Sequence, residues 1–127
     1  MANQISSKGA LWEKSLTFSI QIVEFSEKLC ENRHNWKLAD QLLRSGCSIG
    51  ANIREASSAE SNADFVHKYL ISLKECRETL YWLEVLLGAK RIGQDDYNDQ
   101  TKLATELESM LSAAVLTMKA KMGRANR

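Results

Sequence analysis

Residues 62–88 read NADFVHKYLISLKECRETLYWLEVLLG, and this stretch decides the fold. Its apolar residues recur at alternating spacings of three and four. They are Val66, Tyr69, Leu73, Cys76, Leu80, Leu83 and Leu87. This spacing is typical of the seam by which a helix packs at a shallow angle against its neighbours. The stretch therefore predicts one long amphipathic helix.

The same rhythm returns in three other segments of the chain. In the first segment it falls on Leu11, Phe18, Ile22, Phe25 and Leu29. In the fourth segment it falls on Tyr97, Ala104, Leu107, Leu111, Ala114 and Met118. In the second segment the side chains are smaller, at Ala39, Leu42, Gly46, Ile49, Ile53 and Ala56. All three segments are predicted to be helices, and the small residues predict that the second helix approaches a neighbour closely.

Capping residues and glycines set the predicted ends of these helices, and the chain has no proline to interrupt them. Ser61 followed three residues later by Asp64 is a variant capping box, so the third helix begins near Asn62. Residues 88–93 separate the last two helices, and the polar residues 31–35 form the first turn. We expect helices at about 9–31, 36–59, 62–88 and 95–122. Because the connections are short, they predict one all-α domain over residues 1–127, an up-down-up-down antiparallel four-helix bundle.

The composition limits which classes of protein this chain can belong to. Its 127 residues, 44% of them hydrophobic, suit one domain with one core. The 17 Lys and Arg residues against 16 Asp and Glu give a formal charge of +1, so nucleic-acid binding must come from a local patch. The polar start and the lack of a long uncharged stretch predict a cytoplasmic protein. We interpret the three scattered cysteines, Cys30, Cys47 and Cys76, as small buried apolar groups.

The first helix has a second apolar stripe, on the side away from the stripe that begins at Leu11. The second stripe comprises Trp12, Leu16, Ile20, Val23 and Cys30. A helix in a single four-helix bundle needs only one buried stripe, and a monomer seldom exposes such a patch. The second stripe therefore predicts an oligomer interface formed by its first four residues. The alternative is that the first helix lies unusually deep inside its own bundle.

Four-helix bundles often hold two iron ions through Glu-x-x-His motifs, and two fragments of this chain approach that pattern. They are residues 31–34, ENRH, and residues 64–67, DFVH. Neither fragment fits, because Glu31 and His34 lie at the end of the first helix and His67 points away from the core seam. Phosphate-binding loops and nucleophile motifs are also missing. We therefore expect a protein that is not an enzyme, with no catalytic residue, no metal and no cofactor.

Polar residues on the second helix are candidates for recognition. Ser48, Asn52 and Glu55 share one face, which predicts hydrogen bonds across a helix or subunit interface or, alternatively, a contact with a ligand or partner. Basic residues form two sets of candidate nucleic-acid contacts. One set is Lys37, Arg44 and Arg54, and the other is Lys119, Lys121 and Arg124. The second set has an alternative role, because positive charge at a helix C-terminus complements the helix dipole.

With the helices placed, residues 41–56, QLLRSGCSIGANIREA, resemble the motif of a known family. The pattern QL-x-R-small-small-x-S-I-x-x-N-I-x-E is similar to that of the four-helix-bundle proteins encoded by intervening sequences in bacterial 23S ribosomal RNA genes, also called S23 ribosomal proteins. Leu11-Trp12 resembles the opening of the family's first helix. Residues 64–73 and 78–84 resemble its third helix, so the similarity covers nearly the whole chain. Ala56 departs from the pattern, because many relatives have a glycine there.

The resemblance implies a bacterial protein that assembles into a ring-like homo-oligomer, commonly a pentamer. The family is similar to the accessory protein of diversity-generating retroelements, a basic pentameric bundle that associates with a reverse transcriptase and with nucleic acid. The implied partners are therefore further copies of the chain, structured RNA, or a nucleic-acid enzyme such as a reverse transcriptase, with no membrane involved. The near-neutral charge of this chain departs from the basic members.

Together these features predict a non-enzymatic, homo-oligomeric helical-bundle binding module with RNA as its ligand. The alternative is a protein-recruiting assembly scaffold with no nucleic-acid binding. A metal-dependent oxidase is a third class, which elemental analysis of the purified protein would test. A steep loss of RNA affinity with added salt would support phosphate contacts and so distinguish the first two classes.

Overall fold

Four long helices follow one another along the chain and pack in sequence in the computed structural model, which describes residues 2–125 and the side chains of 9–124. Helix α1 spans Ala2–Leu29, α2 Trp36–Ala56, α3 Asn62–Gly88 and α4 Gln94–Ala125. Each helix packs on the next, and α1 closes the bundle by packing on α4. Short connections make each helix antiparallel to its predecessor. The predicted all-α, up-down four-helix bundle is confirmed.

Helix α2 approaches α1 closely at two glycines. A methyl group added at Gly46 would lie 3.0 Å from the Ile22 side chain, and one added at Gly50 would lie 3.2 Å from the Ser15 hydroxyl. Both distances are shorter than ordinary van der Waals contact. The glycines therefore set how near the two axes come, as the small side chains of the second helix predicted.

The core lies between all four helices, and α2 buries every one of its six predicted apolar positions. The completely buried apolar residues of the bundle are Phe18, Ile22, Leu42, Ile49, Cys76, Leu83, Leu86, Ala104, Leu107 and Leu111. Two predicted apolar seam positions are displaced by one residue: Leu86 is fully buried whereas Leu87 is only partly buried, and Val115 is buried whereas Ala114 is only partly buried. Leu86 continues, at heptad spacing, the row of Ser72 and Thr79, which are fully buried and bond to α2.

Side-chain caps and tightened turns end the helices. Ser61 accepts a hydrogen bond from the Asp64 amide at 3.0 Å, and the Asp64 carboxylate accepts one from the Glu60 amide at 3.3 Å. This is a variant of the capping box, because the second donor is the residue before the N-cap and not the N-cap itself. Helix α2 ends at Ala56 rather than near residue 59, because the next three amides donate to carbonyls only three residues back. Helix α1 is interrupted at Gly9, whose φ of 84° is unfavourable for other residues.

The turn between α3 and α4 places Lys90, not a glycine, in the left-handed region, with φ of 61°. The Lys90 amide donates to the Leu87 carbonyl at 3.0 Å, and the Arg91 amide donates to the Leu86 carbonyl at 2.9 Å. These two bonds form the Schellman motif that commonly ends a helix, although glycine usually occupies the left-handed position. The following residue, Ile92, is buried against the core.

The three cysteines do not share one environment, so their interpretation as buried groups is wrong for one of them. Cys76 is fully buried, and burial raises the pKa of its thiol to about 12. Cys47 is half-buried, whereas Cys30 is exposed. Cys30 directly follows the last residue of α1 and lines a surface groove beside Trp36.

Candidate subunit and nucleic-acid interfaces

The predicted interface residues of α1 form an exposed aliphatic surface. Leu16, Ile20 and Val23 are 44%, 52% and 39% exposed. In the single chain, these residues therefore do not lie deep inside their own bundle. The fourth residue, Trp12, is partly buried, and the Arg54 guanidinium lies 4.0 Å above the centre of its ring. We call Leu16, Ile20 and Val23 the outer face of α1.

Carboxylates border this outer face. Glu24 follows Ile20 by one helical turn, Glu27 follows Val23 by one turn, and both are exposed. Within residues 9–124, neither carboxylate has a basic group within 4.0 Å. The outer face is therefore apolar in its middle and negative at its edge.

An apolar groove of about 350 Å³ continues the outer face onto α2. Its lining comprises Val23, Ser26, Glu27, Cys30, Trp36, Ala39, Asp40 and Leu43. Trp36 is the most prominent member, because its side chain is 55% exposed. The sequence patterns did not single out Trp36, since it falls at a predicted helix start, outside any repeating stripe.

The polar strip of α2 makes its hydrogen bonds locally. The Ser48 hydroxyl donates to the Arg44 carbonyl at 2.7 Å, and the Asn52 amide donates to the Ser48 carbonyl at 2.8 Å. Glu55 pairs with Lys68 of α3 at 3.6 Å. The strip therefore has one contact with another helix, an exposed ion pair.

Hydrogen bonds between α2 and α3 come instead from side chains that the sequence analysis did not select. The Ser72 hydroxyl donates to the Ile49 carbonyl at 2.8 Å, and the Thr79 hydroxyl lies 2.9 Å from the Ser45 hydroxyl. All three hydroxyl groups belong to buried residues. A signal was present, because Ser72 and Thr79 lie seven residues apart and keep the heptad spacing of α3.

Arg44, a candidate phosphate contact, lies in a groove that it shares with acidic residues. This groove between α2 and α3 has a volume of about 410 Å³ and is lined by Gln41, Arg44, Ser45, Ser48, Glu75 and Glu78. Burial, together with the neighbouring Glu78 carboxyl, raises the pKa of Glu75. The Arg44 guanidinium also lies 3.8 Å from Asp40. The local field around Arg44 is therefore mixed rather than positive.

The other candidate nucleic-acid contacts lie at two opposite ends of the bundle. Arg54 is at the end of α2, and the antiparallel order brings the C-terminal part of α4, with Lys119, Lys121 and Arg124, to the same end. Lys37 is in the first turn of α2, about 25 Å away along the helix axis. All of these side chains are exposed. One short stretch of nucleic acid would not contact both ends.

The structure offers little for metal chemistry in the part of the chain it describes. There, no three His, Cys, Asp or Glu side chains gather where they could hold a metal ion. His34 and His67 are both exposed, on different helix ends. None of the described helices combines the length and the apolar character needed to cross a membrane.

Comparisons with known proteins agree with the fold. A protein of unknown function from the S23 ribosomal protein family of Bacteroides thetaiotaomicron is 40% identical to this chain, and its crystal structure matches with a TM-score of 0.81. That match covers 84% of this chain and 98% of the other. No curated protein matches the chain. The family model described as 23S rRNA-intervening sequence protein matches residues 7–113. The chain therefore belongs to the family of 23S rRNA-intervening sequence proteins.

Proposed function

We propose that this protein is a non-enzymatic, homo-oligomeric four-helix bundle that binds RNA. The observation that carries the proposal is the exposed outer face of α1, since Leu16, Ile20 and Val23 all lie in solvent in the single chain. Burying these side chains against a second copy would remove a contiguous aliphatic surface from water. Assembly would also repeat each weak basic patch several times, which compensates for a near-neutral chain.

The acidic edge of the outer face favours a contact between unlike surfaces. A two-fold contact of α1 with a second α1 would bring Glu24 and Glu27 near the same carboxylates of the other copy, and like charges repel. The C-terminal part of α4 is the complementary surface. It carries Leu116, which is 70% exposed, followed one helical turn later by Lys119. Contacts between unlike surfaces generate closed rings when the rotation closes, and a ring is the form of the homopentamer that the family resemblance implies.

RNA is proposed as the ligand because the family description names an intervening sequence of 23S rRNA. Lys121 and Arg124 share one end of the bundle with Arg54. The described part of α4 beyond Glu108 contains no acidic residue, whereas Arg54 shares a depression with three carboxylates. Clustered positive groups without acidic neighbours attract phosphates and release their counterions on binding. In a ring, basic ends of several subunits would act on one RNA together.

The proposal is tested by measuring RNA affinity over a series of salt concentrations. The expected result is binding at low salt that weakens steeply as salt is added, because phosphate contacts release counterions. Arg54→Glu combined with Arg124→Glu should reduce the affinity by roughly tenfold or more. The matched control is Lys74→Glu with Lys102→Glu, which reverses two exposed charges elsewhere. Absence of binding at low salt would refute RNA binding.

A protein-recruiting scaffold is the second candidate, favoured by the outer face of α1 itself. Aliphatic side chains with an acidic border suit a protein surface better than a nucleic acid, whose phosphates would be repelled. In this account the oligomer recruits another protein, for which a nucleic-acid enzyme such as a reverse transcriptase is the candidate suggested by the retroelement accessory proteins. Assembly without RNA binding at low salt would support this scaffold.

A further inference from the structure

Trp36 has an environment unlike that of the other two tryptophans. Its side chain is 55% exposed, whereas Trp12 and Trp82 are partly buried. Exposed tryptophan is costly in a monomer, because a large apolar ring remains in water. An exposed indole on an otherwise well-packed bundle is therefore a candidate contact for a ligand.

The indole of Trp36 is held in place through its edge. Its ring nitrogen donates a hydrogen bond to the Cys30 carbonyl at 2.9 Å. The preceding residue, Asn35, is buried and donates to the Leu29 carbonyl at 3.1 Å. These two bonds satisfy carbonyls that the end of α1 leaves without a helical partner. Because the polar edge is already used, the exposed part of the ring is fixed in position and is mainly apolar.

A cation lies near the face of the Trp36 ring but is too distant to stack directly on it. The Arg33 guanidinium is 5.6 Å from the centre of the ring. The Arg54 guanidinium, by contrast, lies 4.0 Å from the centre of Trp12, a distance of direct stacking. A flat group can therefore stack on Trp36 after a small movement of Arg33, whereas Trp12 is already covered.

Two further cations lie in the segments next to Trp36. Lys37 follows Trp36 in the chain. Arg91, in the turn between α3 and α4, donates to the His34 carbonyl at 3.0 Å and to the Asn35 side chain at 2.9 Å. Within the described residues, Arg33, Lys37 and Arg91 have no carboxylate within 4.0 Å. Their positive charge is therefore available to an anionic ligand.

Carboxylates limit which side of the indole such a ligand can occupy. Glu27 and Asp40 line the apolar groove beside Trp36, and Glu31 and Asp96 line a depression that also contains Arg91. Asp40 is partly neutralised by Arg44. A chain of phosphates would avoid the groove and follow the side of the ring that carries Arg33 and Lys37.

We propose that Trp36 is a stacking platform for an unpaired base of RNA, with Arg33 and Lys37 placed to contact the adjoining phosphates. Aromatic rings stack on bases of any sequence, and flanking cations bind the backbone, which is how proteins recognise single strands without strong sequence preference. The inference rests on the proposed RNA binding and deepens it. It assigns single-stranded RNA to the turn end of the bundle, opposite the end that contains Arg54.

The test measures binding of a short, fluorescein-labelled oligoadenylate at low salt by polarisation. Trp36→Ala should weaken binding by roughly tenfold, as expected for the loss of one base–aromatic stack, and Trp36→Phe should retain most of the affinity. Tyr81→Ala is the matched control, because Tyr81 is 56% exposed on α3 and, among the described residues, no guanidinium lies over its ring. This control should bind as the wild type does. Saturating RNA should also quench tryptophan fluorescence in the wild type and much less in Trp36→Phe.

Three outcomes would overturn the assignment, and they are distinguishable. If the wild type binds RNA and Trp36→Ala binds equally well, RNA lies elsewhere and only the stacking site fails. If the wild type does not bind RNA at low salt, the proposed RNA binding fails together with the site. If Trp36→Ala dissociates the oligomer in sedimentation, the indole belongs to a subunit contact instead.

Discussion

Ile20 and Ile22 lie two residues apart on α1 and have opposite surroundings. Ile22 is completely buried beneath Gly46 of α2, whereas Ile20 is 52% exposed on the outer face. The side chains are identical, so the difference comes entirely from what packs against each side of the helix. The inner stripe, which begins at Leu11 and includes Ile22, is explained by the fold of one chain. The outer face has no such explanation, and we propose that assembly covers it.

The largest expected effect comes from shortening one isoleucine at a time. Ile22→Ala should lower the free energy of unfolding by about 2–5 kcal/mol, because it leaves a cavity in a close-packed core. Ile20→Ala should change it by no more than about 0.5 kcal/mol. Both are measured by urea denaturation in a Leu16→Glu background, so that subunit association does not contribute. Equal losses in the two variants would contradict the distinction between the two faces.

The second prediction concerns the helix that covers the inner stripe. Gly46→Leu should lower the free energy of unfolding by about 1–3 kcal/mol or more, because its first side-chain carbon would already lie 3.0 Å from Ile22. Gly123→Leu is the matched control, since no atom lies within 4 Å of an added carbon there. This control should be neutral or slightly stabilising, because leucine favours helix more than glycine does. Thermal unfolding of both variants checks the contrast.

A third prediction concerns the exposed turn between α3 and α4, where Lys90 has an unfavourable left-handed backbone conformation. Lys90→Gly should raise the free energy of unfolding by about 0.5–1 kcal/mol, because glycine tolerates the left-handed conformation of this turn. Lys90→Ala removes the same charge without relieving the backbone. The Ala variant should therefore show no comparable gain in urea denaturation, and an equal gain would identify charge rather than backbone strain as the cause.

The smallest expected effect is a pH dependence at Glu75. Burial and the nearby Glu78 carboxyl raise its pKa above the ordinary value of 4.5, so the folded state holds this proton more tightly than the unfolded state does. Stability from this group is present below pH 4.5 and decreases as the pH rises through the higher folded pKa. Glu75→Gln should therefore stabilise the protein slightly at pH 7 and leave it nearly unchanged at pH 4. A larger gain at pH 4 would contradict the assigned direction.

The fold followed from the sequence because its signals are local. The helical spacing of α3 and the Ser61–Asp64 cap each involve residues within a few turns of one another. The seam prediction missed Leu86 because it followed only apolar residues, whereas the other buried members of the row to which Leu86 belongs are Ser72 and Thr79. The left-handed conformation of Lys90 was not predicted either, because glycine is the usual residue at that position.

The candidate site was harder to predict, because its features join residues that are distant in sequence. Nothing near Arg44 in the sequence indicates that Glu75 and Glu78 face it across a groove. Similarly, Arg91 reaches the turn before Trp36 from the opposite connection of the bundle. Periodicity identifies which face of a helix a side chain occupies. It does not identify which side chains of other helices share that space.

Sedimentation velocity at micromolar concentrations measures whether the outer face of α1 is a subunit contact. We expect the wild type to sediment as a multimer. The Leu16→Glu, Ile20→Glu double variant should sediment as a single subunit with an unchanged helical circular dichroism spectrum, because both side chains are exposed in the folded chain. A wild type that remains a single subunit at every concentration tested would contradict the account.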